Sequence, residues 1–380
     1  MQHQRPYCRL SFARKNVDGC RKCSFQLYYT RESKSILVVQ LGGDLVFQKY
    51  LVTGATGFLG RTVVAQLLKN NADVHVLVMK NDPLAQELPH KVHSVVGDIC
   101  DENSLNQFFL GADQQTCVIH CCGIVSVASH PGDTIYRVNV GGTNNILRLC
   151  EIYGVGKLVY VSSVHAIPEK PKGMEITEDA VFSPELVQGD YAKSKAIATS
   201  LVFRSAKQGL NASVVFPSGI IGPGDRGKGS ITNMLLSFLD GKLPLAVKGG
   251  YDFVDVRDVA SGIIACAKRG LPGHGYILSG HYSSIRDILE SAKKTLNLRH
   301  TVFYLPICFA KMIAPIYEQW SLRKHHQLYF TPYAIAVLDS NGKFSRKAAA
   351  DTFDYAPRSF ESTIRDTILW LKNSAYGTEL

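Results

Sequence analysis

A glycine-rich turn constrains the fold of this chain more than any other feature of its sequence. The apolar run at residues 49–52 leads directly into a turn with Gly54, Gly57 and Gly60 at every third position. Apolar residues at helical spacing follow the turn, and residues 74–79 form a second apolar run. The order of strand, glycine turn, helix and strand predicts a βαβ unit, which belongs to a parallel sheet.

Each glycine of this turn has its own physical purpose. Gly54 permits the tight turn, Gly57 lets a pyrophosphate approach the backbone, and Gly60 lets the helix pack against the strand. The N-terminus of the helix adds free N–H groups and the positive end of the helix dipole. Because the strand and the helix around the motif are both present, the sequence predicts a dinucleotide-binding site at this turn.

The end of the second strand bears on the choice of dinucleotide. An acidic residue there would bind the ribose 2′-OH of NAD, whereas a basic residue would accept the 2′-phosphate of NADP. The chain has Lys80 at this position and no carboxylate before Asp82. We therefore expect NADP(H) rather than NAD(H), which stays possible, with Lys80 as the phosphate partner. The alternative is that Lys80 is an ordinary solvated lysine.

Strands and helices continue to alternate beyond this unit. Further strands are predicted at residues 92–98, 116–121 and 158–161, and a helix is predicted at residues 134–153. This alternation predicts an α/β fold of the Rossmann type, a doubly wound parallel sheet with a smaller C-terminal substrate domain. The expected parts are a disordered non-core extension at 1–44, an NAD(P)-binding domain at 45–216, and a region at 217–380 that completes the sheet and forms the substrate domain.

Composition and charge exclude several classes of protein. Of the 380 residues, 46% are hydrophobic and 19% are charged, which excludes a disordered chain and predicts a soluble globular protein. No apolar run reaches the roughly 18 residues that a membrane-spanning helix needs, so we expect no membrane partner. Half of the net charge of +10 lies in residues 1–44, and the mildly basic remainder suits an anionic small molecule better than nucleic acid. Scattered cysteines in the remainder are typical of a cytoplasmic protein.

The extension at residues 1–44 allows four interpretations. It lacks the apolar core of a secretory signal, but it is rich in arginine like a mitochondrial presequence. A zinc site from Cys8, Cys20, Cys23 and His3 would lack a second pair of ligands. We favour a non-structural extension from a start codon assigned too far upstream, because Gly42-Gly43-Asp44 is what a translated ribosome-binding site would spell.

A tyrosine and a lysine lie one helical turn apart, at Tyr191 and Lys195. Tyrosine has a pKa of about 10, and a nearby ammonium would lower it. The phenol could then protonate a carbonyl oxygen, or deprotonate an alcohol, while hydride moves to or from a nicotinamide. Ser163, at the end of a predicted strand, is suited to hold the same oxygen. In isolation the pair is typical of an exposed helix face, but its combination with the glycine turn favours catalysis.

These motifs together resemble the extended short-chain dehydrogenase/reductases, also called the NAD-dependent epimerase/dehydratase family. The resemblance rests on the glycine turn, Gly97-Asp98, the segment 160–163 and the Tyr191–Lys195 pair, and it covers about residues 49–375. Within the family the sequence is most similar to the dihydroflavonol-reductase-like branch. That branch reduces ketones or aldehydes with NADPH.

The resemblance implies roles for individual residues. Ser163, Tyr191 and Lys195 would be catalytic, with Asn139 supporting a proton relay and with Ser162 as the alternative to Ser163. Lys195 would also bind the nicotinamide ribose, Asp98 and Ile99 would contact the adenine, and the region of Pro217 would lie against the nicotinamide. Cys122 either lines the nicotinamide pocket or is a packed core thiol. The expected cofactor-binding residues are Gly54, Thr56, Gly57, Phe58, Leu59, Gly60, Lys80, Asp98, Ile99, Cys122, Pro217, Ser218 and Ile220.

The substrate side is less well defined by the sequence. The long segment between Ser163 and Tyr191 is expected to form a wall of the substrate pocket. His165 within it, and Ser126, are the predicted substrate residues, although His165 could also be a surface histidine. Aromatic residues of the C-terminal third could shape an apolar cavity. No metal is expected in the site, and a homodimer is what the family suggests.

Three functions remain open at this stage. The first is an NADP(H)-dependent carbonyl reductase or alcohol dehydrogenase acting on a small molecule. The second is a sugar-nucleotide epimerase or dehydratase with tightly held NAD, which is disfavoured because Phe216 stands where many relatives have arginine. The third is a non-catalytic dinucleotide sensor, which is disfavoured because a binding protein needs no acid–base group.

Overall fold

The computed structural model describes residues 44–128, 132–226, 229–299, 301–323 and 330–375, and the backbone of three earlier strands. The chain forms two compact units, Met1–Val46 and Phe47–Leu380. In the first unit β1 (Tyr7–Leu10), β2 (Ser24–Thr30) and β3 (Ser35–Leu41) form an antiparallel sheet.

These strands lie within residues 1–44, where the sequence-based expectation is a disordered extension. The segment of β2 is rich in phenylalanine, leucine and tyrosine, which favour strands even without strict alternation of apolar and polar residues. The side chains proposed for a zinc site in this extension lie outside the described residues.

The second unit alternates strands and helices. Its strands are β4 (Lys49–Thr53), β5 (Asp73–Val78), β6 (His93–Val96), β7 (Thr116–His120), β8 (Lys157–Val161), β9 (Ala212–Pro217), β10 (Gly219–Ile221), β11 (Leu245–Val247), β12 (Gly250–Asp255), β13 (Gly275–Leu278), β14 (His281–Ser284) and β15 (Phe303–Leu305). Its helices are α1 (Phe58–Lys69), α2 (Glu102–Phe109), α3 (Thr134–Tyr136), α4 (Thr143–Ile152), α5 (Asp190–Lys207), α6 (Ser230–Leu239), α7 (Val256–Arg269), α8 (Ile285–Leu296), α9 (Ile307–Arg323), α10 (Pro332–Leu338), α11 (Lys347–Phe353) and α12 (Phe360–Ala375).

Seven parallel strands form the central sheet, in the order β13-β9-β8-β7-β4-β5-β6. The chain runs from β4 outward through β5 and β6, then returns to the other side of β4 with β7. In such a sheet the crevice for a ligand lies at this reversal, outside the carboxyl ends of β4 and β7. The predicted Rossmann-type fold is therefore confirmed.

The strands of this sheet are apolar throughout because helices cover both of its faces. Every residue of β7, β8 and β9 is buried, as expected for central parallel strands. On one side α1 buries Val63, Val64 and Leu67 and packs against α7. Among the described residues, no helix is both long enough and apolar enough to cross a membrane.

The region after β9 both completes the central sheet and builds smaller layers. β13 joins the central sheet beside β9, whereas β10, β12 and β14 form a second sheet and β11 pairs with β15. The division into two domains at residue 216 stays a prediction, because the residues on either side belong to one compact unit.

A π-helical turn interrupts the predicted helix at residues 134–153. The turn, Arg137–Gly142, connects α3 to α4, and it contains the buried Asn139. A π turn holds one more residue than regular α-helix does, and such turns are frequent at functional sites.

Candidate active site

The strand ends bring most of the predicted site residues to one edge of the central sheet. Because parallel strands all point the same way, the residues that follow β4, β5, β6, β7, β8 and β9 lie along the same edge. In that order these residues are Gly54, Lys80, Asp98, Cys122, Ser163 and Ser218.

The glycine turn has the geometry that the sequence predicts. Gly54 has a φ of +70°, and a Cβ there would lie 2.8 Å from the backbone nitrogen of Cys122. A Cβ at Gly60 would lie 2.1 Å from the carbonyl oxygen of Gly54, so only glycine lets α1 pack this closely. A Cβ at Gly57 would meet only that same oxygen, at 3.3 Å, and Gly57 is exposed.

Backbone groups at the start of α1 are suited to an anion. Gly57 is the residue before the helix and has no side chain to cap it. Phe58 and Leu59 form the first turn, and Thr56 is half-buried beside them. The N–H groups and positive dipole of a helix start fit the diphosphate of a dinucleotide.

The turn after β5 carries one cation and one carboxylate. Lys80 is exposed. Asp82 caps the short 3-10 helix Pro83–Glu87, because its Oδ1 accepts a hydrogen bond of 2.9 Å from the N–H of Leu84. The first carboxylate after β5 is therefore engaged in a local cap.

The residues after β6 are held by local hydrogen bonds and by packing. Asp98 Oδ1 accepts a hydrogen bond of 2.9 Å from the N–H of Cys100. The side chain of Ile99 is buried, and it fills the space beside Gly142, where a Cβ would lie 2.5 Å from its Cδ1. Asn145 Nδ2 donates a hydrogen bond to the carbonyl of Ile99 at 2.9 Å. Ile99 therefore links the segment after β6 to the π turn and to α4, whereas Asp98 is held within its own loop.

A buried histidine at the end of β7 links three elements. His120 Nδ1 lies 2.6 Å from Thr53 Oγ1, and its Nε2 lies 3.2 Å from Thr143 Oγ1. Thr143 donates its own hydroxyl hydrogen to the carbonyl of Asn139 at 2.6 Å. Nε2 must therefore carry the imidazole hydrogen, and Nδ1 must accept from Thr53. Burial lowers the pKa of His120 to about 3, so the ring is neutral.

Cys122 is part of the same junction. Its N–H donates a hydrogen bond to Thr53 Oγ1 at 3.2 Å, and its side chain packs against the hydrophobic core. Burial raises the pKa of the Cys122 thiol to about 11. Both features agree with the packed-thiol interpretation of this cysteine.

Ser163 and Tyr191 are neighbours beyond the end of β8, where the Ser163 hydroxyl acts to lower the pKa of the Tyr191 phenol. Both residues are buried, and Ser163 Oγ also accepts a hydrogen bond of 3.3 Å from the N–H of His165. Ser162 faces the other way, with its hydroxyl 2.7 Å from that of Thr199. Of the two serines, Ser163 is thus the one that meets the tyrosine.

Lys195 is buried one turn after Tyr191, but it does not act on the phenol as expected. Its Nζ donates a hydrogen bond to the carbonyl of Val161 at 2.9 Å and another to the hydroxyl of Tyr160 at 3.4 Å. Burial raises the pKa of Tyr191, while the neighbouring Ser163 hydroxyl opposes the rise. The prediction that the ammonium lowers the phenol pKa is wrong here, because the ammonium is directed at the strand. Desolvation also lowers the pKa of Lys195 to about 8.

Asn139 is fully engaged at the π turn. Its Oδ1 accepts a hydrogen bond from the N–H of Ile124 at 2.7 Å, and its Nδ2 donates to the carbonyl of Ile124 and to Ser194 Oγ. A Cβ at Gly123 would lie 3.1 Å from Asn139 Oδ1 and 3.2 Å from Lys195 Nζ. Asn139 and Lys195 therefore flank the same point of the backbone.

Aromatic rings surround Tyr191 on the side away from the sheet. His165 stacks on Tyr251, with ring centroids 5.5 Å apart and planes 8° apart, and it also contacts the rings of Tyr191 and Tyr333. The hydroxyl of Tyr251 lies 3.4 Å from His165 Nε2. Burial lowers the pKa of His165 to about 4, so the ring is neutral.

Tyr333 is held in this group by a close contact with the start of α5. Gly189 has a φ of +85°, and a Cβ there would lie 2.6 Å from the ring of Tyr333. The Tyr333 hydroxyl is buried, and it has no hydrogen-bond partner among the described residues. A buried hydroxyl without a partner is costly, which suggests that it serves a ligand.

The remaining predicted residues lie on either side of this group. Ser126 is in the loop after β7, and its hydroxyl accepts a hydrogen bond from the N–H of Ala128 at 3.1 Å. The next residue, Val127, accepts one from Thr331, which begins α10. Pro217 ends β9, Ser218 is buried, and the half-buried Ile220 lies in β10 beside Val254 of β12.

Comparison with known proteins gives the family. The profile of the NAD-dependent epimerase/dehydratase family matches residues 50–278, more than half of the chain. The chain belongs to this family. Its members are NAD(P)-binding enzymes of the extended short-chain dehydrogenase/reductase type, so the family predicted from the motifs is confirmed.

Several members of the NAD-dependent epimerase/dehydratase family are similar over most of this chain. The Synechocystis protein called “Putative dihydroflavonol 4-reductase” is 30% identical, over 86% of this chain and 95% of its own. Sterol demethylase protein B of Methylococcus capsulatus is 26% identical, over 85% and 98% respectively. Among solved structures, that of gox2253 has a TM-score of 0.75 and 27% identity, and the match covers 86% of this chain and 98% of that one.

The sequence did not single out four residues of this site. Tyr251 and Tyr333 reach Tyr191 only through the fold, since they are far from it along the chain. Tyr160 and His120 lie on fully buried strands. In strands buried on both faces, residue spacing does not reveal which side chains point toward the site. The sequence signal for Tyr333 is the richness of the C-terminal third in aromatic residues.

Proposed function

We propose that this protein is an NADP(H)-dependent reductase of a ketone or aldehyde, with Tyr191 as the proton donor. The observation that carries the proposal is the buried group of Ser163 and Tyr191, with Lys195 one helical turn further on. It lies at the carboxyl edge of the sheet, on the same edge as the glycine turn.

In this reaction the Ser163 hydroxyl and the Tyr191 phenol both bind the carbonyl oxygen of the substrate. The bound dinucleotide supplies the hydride that reaches the carbonyl carbon. Tyr191 gives its proton to the oxygen, so that the product is an alcohol and the tyrosine becomes a phenolate. Ser163 then donates a hydrogen bond to that phenolate, and the Lys195 ammonium, once it turns from the carbonyl of Val161, would supply a replacement proton.

The pKa shifts leave both proposed proton donors protonated at neutral pH. Burial raises the pKa of Tyr191, which keeps the phenol protonated at neutral pH and ready to donate. The pKa of Lys195, at about 8, makes its ammonium a better proton donor than an ordinary lysine. Asn139 is held by its hydrogen bonds to Ile124 and Ser194, and it would support the proton relay by fixing the backbone at Gly123 beside Lys195.

The preference for NADP(H) rests on the turn after β5. Lys80 is exposed there and available for a 2′-phosphate, while Asp82 is engaged in capping Pro83–Glu87. A ribose 2′-OH would normally be bound by a free carboxylate near this position. The test is the ratio of kcat/KM with NADPH to that with NADH.

An apolar ring compound with one polar group fits the aromatic wall of the site. The rings of His165, Tyr251 and Tyr333 offer flat apolar surface, and the Tyr333 hydroxyl offers one buried polar group. The two relatives described above carry the names of a dihydroflavonol reductase and of a sterol demethylase protein. Both names refer to fused-ring compounds with oxygen substituents.

A sugar-nucleotide substrate fits less well. Phe216 precedes Pro217 and is fully buried, with its ring stacked on Phe182 at 5.3 Å. This position therefore offers apolar packing, whereas a nucleotide phosphate would need a cation.

The proposal is tested by replacing Tyr191 with phenylalanine. NADPH binding is followed by fluorescence titration, and turnover is measured on a panel of ring-containing ketones and aldehydes. We expect Tyr191→Phe to bind NADPH as the wild type does, and to lose roughly 10²–10⁴-fold in kcat. The matched control is Tyr153→Phe, because Tyr153 lies at the end of α4. Unchanged turnover in Tyr191→Phe would remove the tyrosine as proton donor.

A further inference from the structure

Helix α9 (Ile307–Arg323) presents its large apolar side chains to solvent. Six of them have between 45% and 72% of their surface exposed. Five of the six recur at i, i+3, i+4, i+7 and i+11, which places these five in one stripe along the helix. The stripe consists of Phe309, Met312, Ile313, Ile316 and Trp320.

The buried face of the same helix is made of small or polar residues. Ala310, Ala314, Glu318 and Ser321 are buried, and the helix packs against α10. This is the reverse of an ordinary surface helix, which turns its apolar stripe toward the core. Contiguous exposed apolar surface of this kind marks an interaction site.

The charge of the surrounding chain identifies the partner. Arg323 is exposed at the end of α9, and the sequence continues with Lys324, His325 and His326. The exposed charged residues of α9 are Lys311 and Arg323, whereas its one acidic residue, Glu318, is buried, so this face attracts an anionic surface. An apolar helix face followed by a basic segment is typical of helices that lie in the headgroup region of anionic membranes.

We propose that α9 docks this protein on the surface of an anionic lipid bilayer. The stripe inserts at the boundary of headgroups and acyl chains, Trp320 takes the interfacial position that tryptophan prefers, and Arg323 meets the lipid phosphates. This surface role differs from the sequence-based expectation of no membrane partner, which considered only segments able to span a bilayer.

The docked helix is joined to the candidate active site. α9 packs against α10, and α10 carries Tyr333 in the aromatic wall beside Tyr191. An apolar ring substrate dissolved in the bilayer would therefore be close to the wall that receives it. The docking itself does not depend on the proposed reduction, so each is tested separately.

Vesicle flotation of the full chain tests the docking. We expect the wild type to float with vesicles of phosphatidylcholine containing about a third phosphatidylserine, and to bind pure phosphatidylcholine more weakly. Ile316→Glu should weaken binding to the anionic vesicles at least about tenfold, because it buries a charge in place of an apolar group. The matched control is Leu110→Glu, because Leu110 is an exposed leucine at the end of α2. This variant should bind the anionic vesicles as the wild type does.

Two further measurements keep the test decisive. NADPH titration shows that the Ile316→Glu protein is folded, and its reduction of a water-soluble ketone should match the wild type. Light scattering gives the oligomeric state. Failure of the wild type to bind anionic vesicles would overturn the proposal. The proposal would also be overturned if the wild type were a dimer that does not bind vesicles and that Ile316→Glu converts to a monomer. In that case the stripe would be the contact surface for a second copy of the chain.

Discussion

Replacing Lys195 with methionine should change how the stability of this protein depends on pH. Desolvation lowers the pKa of the buried Lys195 from 10.5 to about 8. In the unfolded chain the pKa returns to its ordinary value, so between these values the unfolded chain binds more protons than the folded protein does. The cost of burying the ammonium is therefore fully present below about pH 8, and it is relieved as the pH rises toward 10.5.

The two pKa values set the size of this effect. Between about pH 7 and about pH 9.5 they correspond to roughly 2 kcal/mol of added stability from this one group. Burial also raises the pKa of the Cys121 and Cys122 thiols, which makes stability fall above their ordinary pKa of 9.0. Both proteins contain these thiols, so the difference in unfolding free energy between wild type and Lys195→Met isolates the lysine.

Urea unfolding at several pH values measures this difference. We expect the advantage of Lys195→Met over the wild type to shrink by about 2 kcal/mol from about pH 7 to about pH 9.5. The control is Lys207→Met, because Lys207 is an exposed lysine at the other end of α5. Its difference from the wild type in unfolding free energy should be the same at every pH. A constant difference for Lys195→Met as well would refute the reasoning, since it would mean that the ammonium is solvated.

Three further predictions follow from the site. Gly60→Ala should destabilise the protein by about 3 kcal/mol or more, because its Cβ would lie 2.1 Å from a backbone oxygen. Gly57→Ala should keep the melting temperature of the wild type but bind NADPH more weakly. Calorimetry measures the stability of both variants, and titration measures their affinity for NADPH. Tyr333→Phe should leave the unfolding free energy unchanged or raise it by about 1 kcal/mol, since the hydroxyl lacks a partner among the described residues. The same variant should raise KM for the substrate, and an unchanged KM would show that the hydroxyl does not bind the substrate. Lys80→Asp should shift the ratio of kcat/KM from NADPH toward NADH by about tenfold or more, and an unchanged ratio would show that Lys80 is a solvated lysine.

The central sheet could be predicted from the sequence because its signals are local. The glycine turn, the apolar run of β4 and the helical spacing of α1 all lie within about twenty residues of one another. The same holds for the strand ends that carry Ser163 and Asp98, because parallel strands bring such ends to one edge whatever the loops do.

The aromatic wall and the protonation states could not be predicted in the same way. Tyr251 and Tyr333 meet His165 only because β12 and α10 fold back over the site. A spacing of four residues placed Tyr191 and Lys195 on one helix face, but it gave no information about depth. Burial raises the pKa of Tyr191, and the nearest acceptor for Lys195 is a strand carbonyl. Desolvation is a property of the packed interior, which residue spacing does not reveal.

Because of the π turn, the position of Asn139 depends on the number of residues in this helix as well as on their identity. It accommodates one residue more than α geometry does, so deleting a single residue within Arg137–Gly142 would remove the bulge and restore regular α winding there, while the turns on either side keep their orientation. The amide of Asn139, which fastens the loop at Ile124 to Ser194 of α5, would then point elsewhere. Insertions and deletions in this stretch should therefore be tolerated far less than substitutions on its outer face.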